Sequence, residues 1–232
     1  MTKPLLLSKS DQQLIAKLNA LEPKITSLLE VGCGQGDKLI YLQNEGNISV
    51  AGIDVHEPYI KDLQAQGIQA KIDNVNKPLP YPDKSFDWVL LGKVLHHLPR
   101  PQQAIKEAAR VAQQGIIVTE PWFDKTIVSQ QLSAELSAFF LKLEQGLGYF
   151  HRLGLTAGEV IALLDIDITQ LDIEYQVALE ELDLEAYFAE RMPYIKQLTP
   201  HHYLTWELAQ LKAKLKDHFL TQPGQLIMFI RF

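Results

Sequence analysis

The stretch Leu28-Leu29-Glu30-Val31-Gly32-Cys33-Gly34-Gln35-Gly36 constrains the fold more than any other. Leu28, Leu29 and Val31 supply the apolar run of a buried strand. Three glycines follow at alternate positions. A chain uses glycine where it must turn with φ above zero or bring its backbone against a ligand. Beyond Gly36 the apolar spacing becomes helical, with Leu39, Ile40 and Leu42 on one side. Strand, glycine turn and helix in this order form the nucleotide-binding entry of an open α/β sheet. Glu30 is the anomaly, because a carboxylate in a buried strand is costly unless it meets a partner.

The first half of the chain repeats the same alternation. Leu14, Ile15, Leu18 and Leu21 predict a helix over about 10–21, with Ser10 or Asp11 as its cap and Pro23 as its stop. Strands are expected at about 27–31, 48–54, 68–73, 86–91 and 115–120. Helices between them run to about Asn44, from Pro58 to Gln66 with Gly67 closing the end, and from Pro101 to Ala112. Gly46-Asn47 reads as a turn, and Pro78-Leu79-Pro80-Tyr81-Pro82 as an irregular loop. Strand–helix alternation predicts a Rossmann-like, doubly wound and mostly parallel sheet with right-handed crossovers. The second half differs. Residues 127–164 and 180–217 read as helical, the latter with breaks at Pro193 and Pro200. Asp172 to Ala178 alternates as a strand does, and Gln225 to Phe232 is a final strand, expected to be antiparallel. The expectation is therefore one domain over 1–232 with helical cap insertions at about 121–165 and 181–223, covering the ligand-binding edge of the sheet.

Two cofactor classes use such a turn. The dinucleotide pattern G-x-G-x-x-G requires a third glycine where this chain has Asp37, so that fingerprint fails. Acids end the next two strands. Asp54 is placed to accept both hydroxyls of a ribose, and Asp73 to accept an exocyclic amine. Glu30 is expected to meet a cation beyond the glycines. Together they describe a ligand with an ammonium, a ribose and an adenine, and leave no site for a pyrophosphate.

Composition argues against several function classes. The formal net charge of -6 gives no basic footprint for nucleic acid. The single Cys33 allows no internal disulfide and suits a reducing cytosol. The apolar run Leu5 to Leu7 is too short for a signal peptide, and no stretch approaches the roughly 18 apolar residues of a bilayer span. His201-His202 offers no metal site, because adjacent residues point apart on a helix. No resident metal is expected, and no membrane partner.

The chain resembles the class I S-adenosylmethionine-dependent methyltransferases of the small-molecule type. Leu29 to Gly36 is similar to that family's first motif, and Gly52-Ile53-Asp54 to its second. Residues 78–89 resemble its loop into the fourth strand, and Val94-Leu95-His96-His97-Leu98 the segment after it. The resemblance covers about residues 25–120. It implies S-adenosylmethionine as cofactor and S-adenosylhomocysteine as product. It implies that Glu30, Gly32, Cys33 and Gly34 lie at the methionine part, with Gly92 and Lys93 beneath it. Asp54 and Val55 would hold ribose and adenine, and Asp73 and Asn74 the adenine amine and ring. Lys93 stands where a small or polar residue is expected.

Methyl transfer from a sulfonium needs alignment and exclusion of water, and a base only if the acceptor must lose a proton. Catalytic candidates are His97, Glu120 and His151, with His96, Trp122 and Tyr149 nearby in sequence. Phe123, Phe139, Phe140 and Phe150 join Trp122 and Tyr149 as candidate lining of an apolar acceptor pocket. The expected partner is a small-molecule methyl acceptor in the cytoplasm. A tRNA or protein acceptor, or a binding protein without chemistry, is the alternative.

Overall fold

A computed structural model of the protein describes residues 7–46, 48–199 and 201–232. Leu5 and Leu6, Asn47 of the expected turn and Pro200 of the expected helix break lie outside the described residues. The chain divides into two compact units. One comprises Met1–Glu120, Gly154–Gln176 and Leu226–Phe232; the other comprises Pro121–Leu153 and Val177–Gln225.

The first unit begins with helix α1 (Lys9–Asn19), then β1 (Ser27–Val31), α2 (Asp37–Glu45), β2 (Ser49–Asp54), α3 (Glu57–Ala65), β3 (Gln69–Ile72) and β4 (Phe86–Gly92). The 3-10 turn Leu95–His97 precedes α4 (Pro101–Val111) and β5 (Ala112–Trp122), of which the part up to Glu120 belongs to this unit. Later segments add α6 (Ala157–Ala162), β6 (Gln170–Gln176) and most of β7 (Gly224–Arg231). The second unit holds α5 (Val128–Gly146), α7 (Leu184–Ile195) and α8 (Tyr203–Leu215).

The strands form one sheet in the order β3-β2-β1-β4-β5-β7-β6. β1 pairs in parallel with β2 and β4, β2 with β3, and β4 with β5. The last strand runs the other way: Phe232, just past the end of β7, donates its N–H to Gln114 O at the start of β5. Chain order reverses between β1 and β4, and ligands of open α/β sheets bind beyond the strand ends at such a switch point.

Alternation along the buried strands sends Leu28, Trp88 and Leu90 to one face. There they pack with Leu14 and Leu18 of α1, Leu39 and Leu42 of α2, and Ile60 and Leu63 of α3. Glu30 shares that face by the same period of two. α3 ends in a Schellman motif: Ile68 N donates to Leu63 O and Gly67 N to Gln64 O, with Gly67 at φ +81°. The proline loop is tied to α4 by Arg110, which donates to Leu79 O, Tyr81 O and the carboxylates of Asp83 and Glu107.

The second unit has its own core of Leu132, Leu136, Phe139, Phe140, Leu143, Leu204, Leu208 and Leu215. Phe139 and Phe140 are therefore core residues rather than pocket lining, whereas Tyr149 and Phe150 are exposed and Trp122 and Phe123 half-buried.

Several expectations are corrected. Ser8 caps α1 in place of Ser10 or Asp11, its Oγ accepting from Asp11 N. Residues 147–156 are not helical. Pro193 lies in the last turn of α7 and does not break it. β5 begins at Ala112, directly after α4.

Candidate functional site

The three glycines after β1 serve three purposes. All are left-handed, with φ of +73° at Gly32, +54° at Gly34 and +71° at Gly36. A Cβ on Gly32 would lie 2.8 Å from Val94 Cγ2, and one on Gly36 2.4 Å from Leu63 Cδ2. A Cβ on Gly34 would meet nothing within 4 Å. Gly36 thus lets the start of α2 approach α3, and Gly32 lets the turn approach the segment after β4. Gly34 leaves backbone open to a ligand. Asp54 buttresses the turn from the end of β2. Its Oδ2 accepts Gly34 N at 2.8 Å and its Oδ1 accepts His56 N at 2.8 Å. Each oxygen retains further acceptor capacity.

A cavity of about 460 Å³ opens beside this turn. It is lined by Val31, Gly32, Ile53, Asp54, Val55, Asp73, Asn74, Val75, Asn76, Lys93, Val94, His97 and Leu98. These residues lie at or just past the carboxyl ends of β1 to β4, where the sheet topology calls for a ligand. The volume is in the range of small-molecule sites. Asp73 Oδ1 accepts Asn74 N, and Asn74 Oδ1 accepts the backbone and side-chain N–H of Asn76. This local network fixes the rim.

Of the residues expected at the cofactor, Gly32, Asp54, Val55, Asp73, Asn74 and Lys93 line the cavity, and Gly34 leaves its backbone open beside Asp54. Cys33 does not line it. Its sulfur packs where Gly52 lacks a Cβ, and burial first, then the charges of Glu30 and Asp54, push the thiol well above its ordinary pKa. Gly92 makes room for Glu30, since a Cβ there would sit 2.7 Å from Glu30 Oε1.

Glu30 is 1% exposed and meets a cation of its own chain: Lys38 Nζ of α2 lies 2.9 Å from Oε1. Asp11 of α1 joins the pair, with Oδ1 3.7 Å from Lys38 Nζ. Burial pushes the Glu30 carboxyl above its usual range, against the pull of Lys38. The charges of Glu30 and Asp11 hold the Lys38 ammonium above its own range despite burial. Glu30 is expected to meet a cation beyond the glycines, and Lys38 at the start of α2 is such a cation.

The catalytic candidates differ in burial and in partners. His97 is exposed and lines the cavity. Glu120 is fully enclosed and accepts three donors: His96 Nδ1 at 2.8 Å, Leu95 N at 3.1 Å and Leu155 N at 3.0 Å. That makes it a clamp between the 3-10 turn and the segment entering α6. His151 lies in the second unit, where its Nδ1 meets the Glu144 carboxylate. His202 caps α8, accepting from Leu204 N.

Val75 and Asn76 were not singled out in the sequence, and Val94 and Leu98 were read only as part of the segment after the fourth strand, with no role at the cofactor.

Residues 29–119 match the family described as "Methyltransferase domain". The chain is similar to 27-O-demethylrifamycin SV methyltransferase of Amycolatopsis mediterranei (strain S699), 34% identical over 95 residues, 38% of this chain and 35% of that protein. It is also similar to the protein named probable tRNA methyltransferase 9B of Homo sapiens, 35% identical over 99 residues, 40% of this chain and 21% of that protein. The matches thus span well under half the length of these curated relatives. The crystal structure of a SAM dependent methyltransferase from Archaeoglobus fulgidus is similar with a TM-score of 0.59 at 16% identity, covering 96% of this chain and 95% of that one. At that identity the likeness speaks for the fold. With the motifs, the switch-point cavity and the matched domain in agreement, residues 29–119 belong to the class I S-adenosylmethionine-dependent methyltransferase family.

Proposed function

We propose that the protein transfers a methyl group from S-adenosylmethionine to a small-molecule acceptor. The observation that carries this reading is the cavity at the switch point, with Asp54, Asp73 and Asn74 on one side and open glycine backbone beside them. The residues suit the cofactor. Asp54 has lone pairs left for the two ribose hydroxyls, and Asp73 for the adenine amine. Val55, 65% exposed, offers an apolar surface to the base. When bound, the cofactor supplies an electrophilic methyl whose leaving group departs without help from an acid. The chain's work is to hold and orient the reactants and keep water out. His97 is the cavity side chain suited to take a proton from an acceptor that must lose one. Glu120 acts indirectly, by holding His96 and Leu95, and so the stretch that carries His97.

The acceptor class rests on charge and on relatives. A net charge of -6 favours a small molecule over RNA. One relative is named for 27-O-demethylrifamycin SV, whereas the 9B relative is named for tRNA. The choice of acceptor is assigned to the cap segments, about 121–165 and 181–223, and the place of action to the cytoplasm.

Calorimetry with S-adenosylhomocysteine tests the site. Asp54→Ala is expected to weaken binding roughly ten- to hundredfold, as lost charge-assisted hydrogen bonds do. Unchanged affinity removes the assignment. Labelled donor incubated with metabolite, RNA and protein fractions then tests the acceptor. Label in the metabolite fraction is expected; label in RNA or protein transfers the acceptor to that class. Tight binding with no labelled product makes the protein a binder.

A further inference from the structure

We propose that Lys93 is the carboxylate-binding residue of the cavity and makes it select ligands by an acid group opposite the Asp54–Asp73 side. The inference rests on the cofactor reading above. Lys93 lines the cavity just past the end of β4. Its φ is +53°, a conformation that disfavours any residue with a Cβ, and its N–H is tied to Thr119 O at 2.9 Å. Glycine would occupy this position without strain. Strain kept at a ligand cavity points to a use for the side chain.

The Lys93 ammonium has no hydrogen-bond or ion-pair partner among the described residues. Burial first, and then the Lys38 charge, push the Lys93 amine below its ordinary pKa; the acids whose charges reach it and pull it back up are Asp11, Glu30 and Glu120. Each is committed elsewhere: Glu30 and Asp11 to Lys38, and Glu120 to His96 and two backbone donors. The cavity is thus acidic at the ends of β2 and β3 and basic at the end of β4. A ligand whose nucleoside lies at Asp54 and Asp73 brings its far end to Lys93. For S-adenosylmethionine that end is an amino acid, which offers a carboxylate. A bare ammonium there would repel the sulfonium; a carboxylate between them removes the conflict. The same chemistry has a second source, a carboxylate on the acceptor.

The test compares wild type, Lys93→Gly and Lys93→Arg by calorimetry with S-adenosylhomocysteine and its decarboxylated analogue. Wild type and Lys93→Arg are expected to prefer S-adenosylhomocysteine by roughly tenfold or more. Lys93→Gly is expected to lose the preference while melting no lower than wild type, because glycine relieves the positive φ. Lys84 provides a control, with the same φ of +53° in the turn before β4. Lys84→Gly should match the thermal effect and leave binding alone. If Lys93→Gly keeps the preference but benzoate added to the S-adenosylhomocysteine-loaded protein binds wild type and not the variant, the carboxylate is the acceptor's. If Lys93→Gly matches wild type in every titration, the proposal is overturned. If wild type binds neither nucleoside, the cofactor reading falls, and the proposal with it.

Discussion

Two glycines two residues apart carry opposite burdens. Gly36 needs both its left-handed φ and its missing Cβ, because Leu63 Cδ2 fills the space at 2.4 Å. Gly34 needs only the φ, since the space beside it is open. Gly36→Ala should therefore destabilise by roughly 2–4 kcal/mol, combining backbone strain with overpacking. Gly34→Ala should cost about 1–2 kcal/mol from φ alone. Affinity should reverse the order: at equal folded fraction, Gly34→Ala puts a methyl on the open face and weakens S-adenosylhomocysteine more than Gly36→Ala does. Urea unfolding and calorimetry on both variants check this pair, and equal unfolding midpoints would refute the packing argument. The sequence shows three glycines but not their neighbours, so it identifies a ligand turn without saying which glycine faces the ligand. Glu30 shows the same gap. Its anomaly is legible at a strand end, but its partner Lys38 lies on the next helix and becomes visible only when α2 folds back over β1. Glu120 was also legible as an acid at a strand end, like Asp54. What separates them is enclosure. Glu120 is satisfied by Leu155, 35 residues away, a contact with no local trace in the sequence.

Among the elements, β1 and β4 are joined at both ends. At the carboxyl ends lies the cavity; at the amino ends Asp87 of β4 fastens the strands. Its Oδ2 accepts Thr26 N and Thr26 Oγ1 at 2.7 Å and Ser27 N at 3.1 Å. Burial alone pushes the Asp87 carboxyl up, but the bonds from Thr26 and Ser27 outweigh it and hold the pKa below the usual aspartate value. A carboxyl more acidic in the folded state stabilises above its unfolded pKa, and loses that contribution as pH falls through the folded value. Asp87→Asn is expected to cost about 1–2 kcal/mol at pH 7, and the difference from wild type should shrink below about pH 4. A difference in urea midpoints that stays constant from pH 7 to pH 3 would show that geometry, not charge, holds the strands. Strands β1, β2, β4 and β7 were legible because buried parallel or central strands read as unbroken apolar runs. The start of β5 was not, because Ala112, Gln113 and Gln114 have poor strand propensity and follow α4 without a loop. Pro193 was read as a break because proline lacks an N–H, but in the last turn that loss costs one bond and the helix ends two residues later anyway.

At the scale of the whole molecule, the two units divide the labour of inference unequally. The first is built on a sheet whose periodicity is written in the sequence, and its cavity follows from topology. The second is held by a core of leucines and phenylalanines on helices whose apolar faces are weakly patterned, so neither its packing nor an acceptor could be read from it. Net charge is the property of the whole chain that bears on the acceptor. Binding to RNA displaces counterions, so affinity falls with salt in proportion to the phosphates neutralised, by about 0.7 per contact on logarithmic axes for single strands. With 22 Lys and Arg against 28 Asp and Glu, this chain is not built for many such contacts. Filter binding of mixed tRNA at 50 and 200 mM salt should show no complex tighter than about 100 µM at the higher salt, the range of non-specific association. A micromolar complex at 200 mM salt that tightens steeply at 50 mM would reveal a basic groove hidden by the average charge. In that case RNA would replace the small molecule as acceptor, while the cofactor site at Asp54 and Asp73 would stand unchanged.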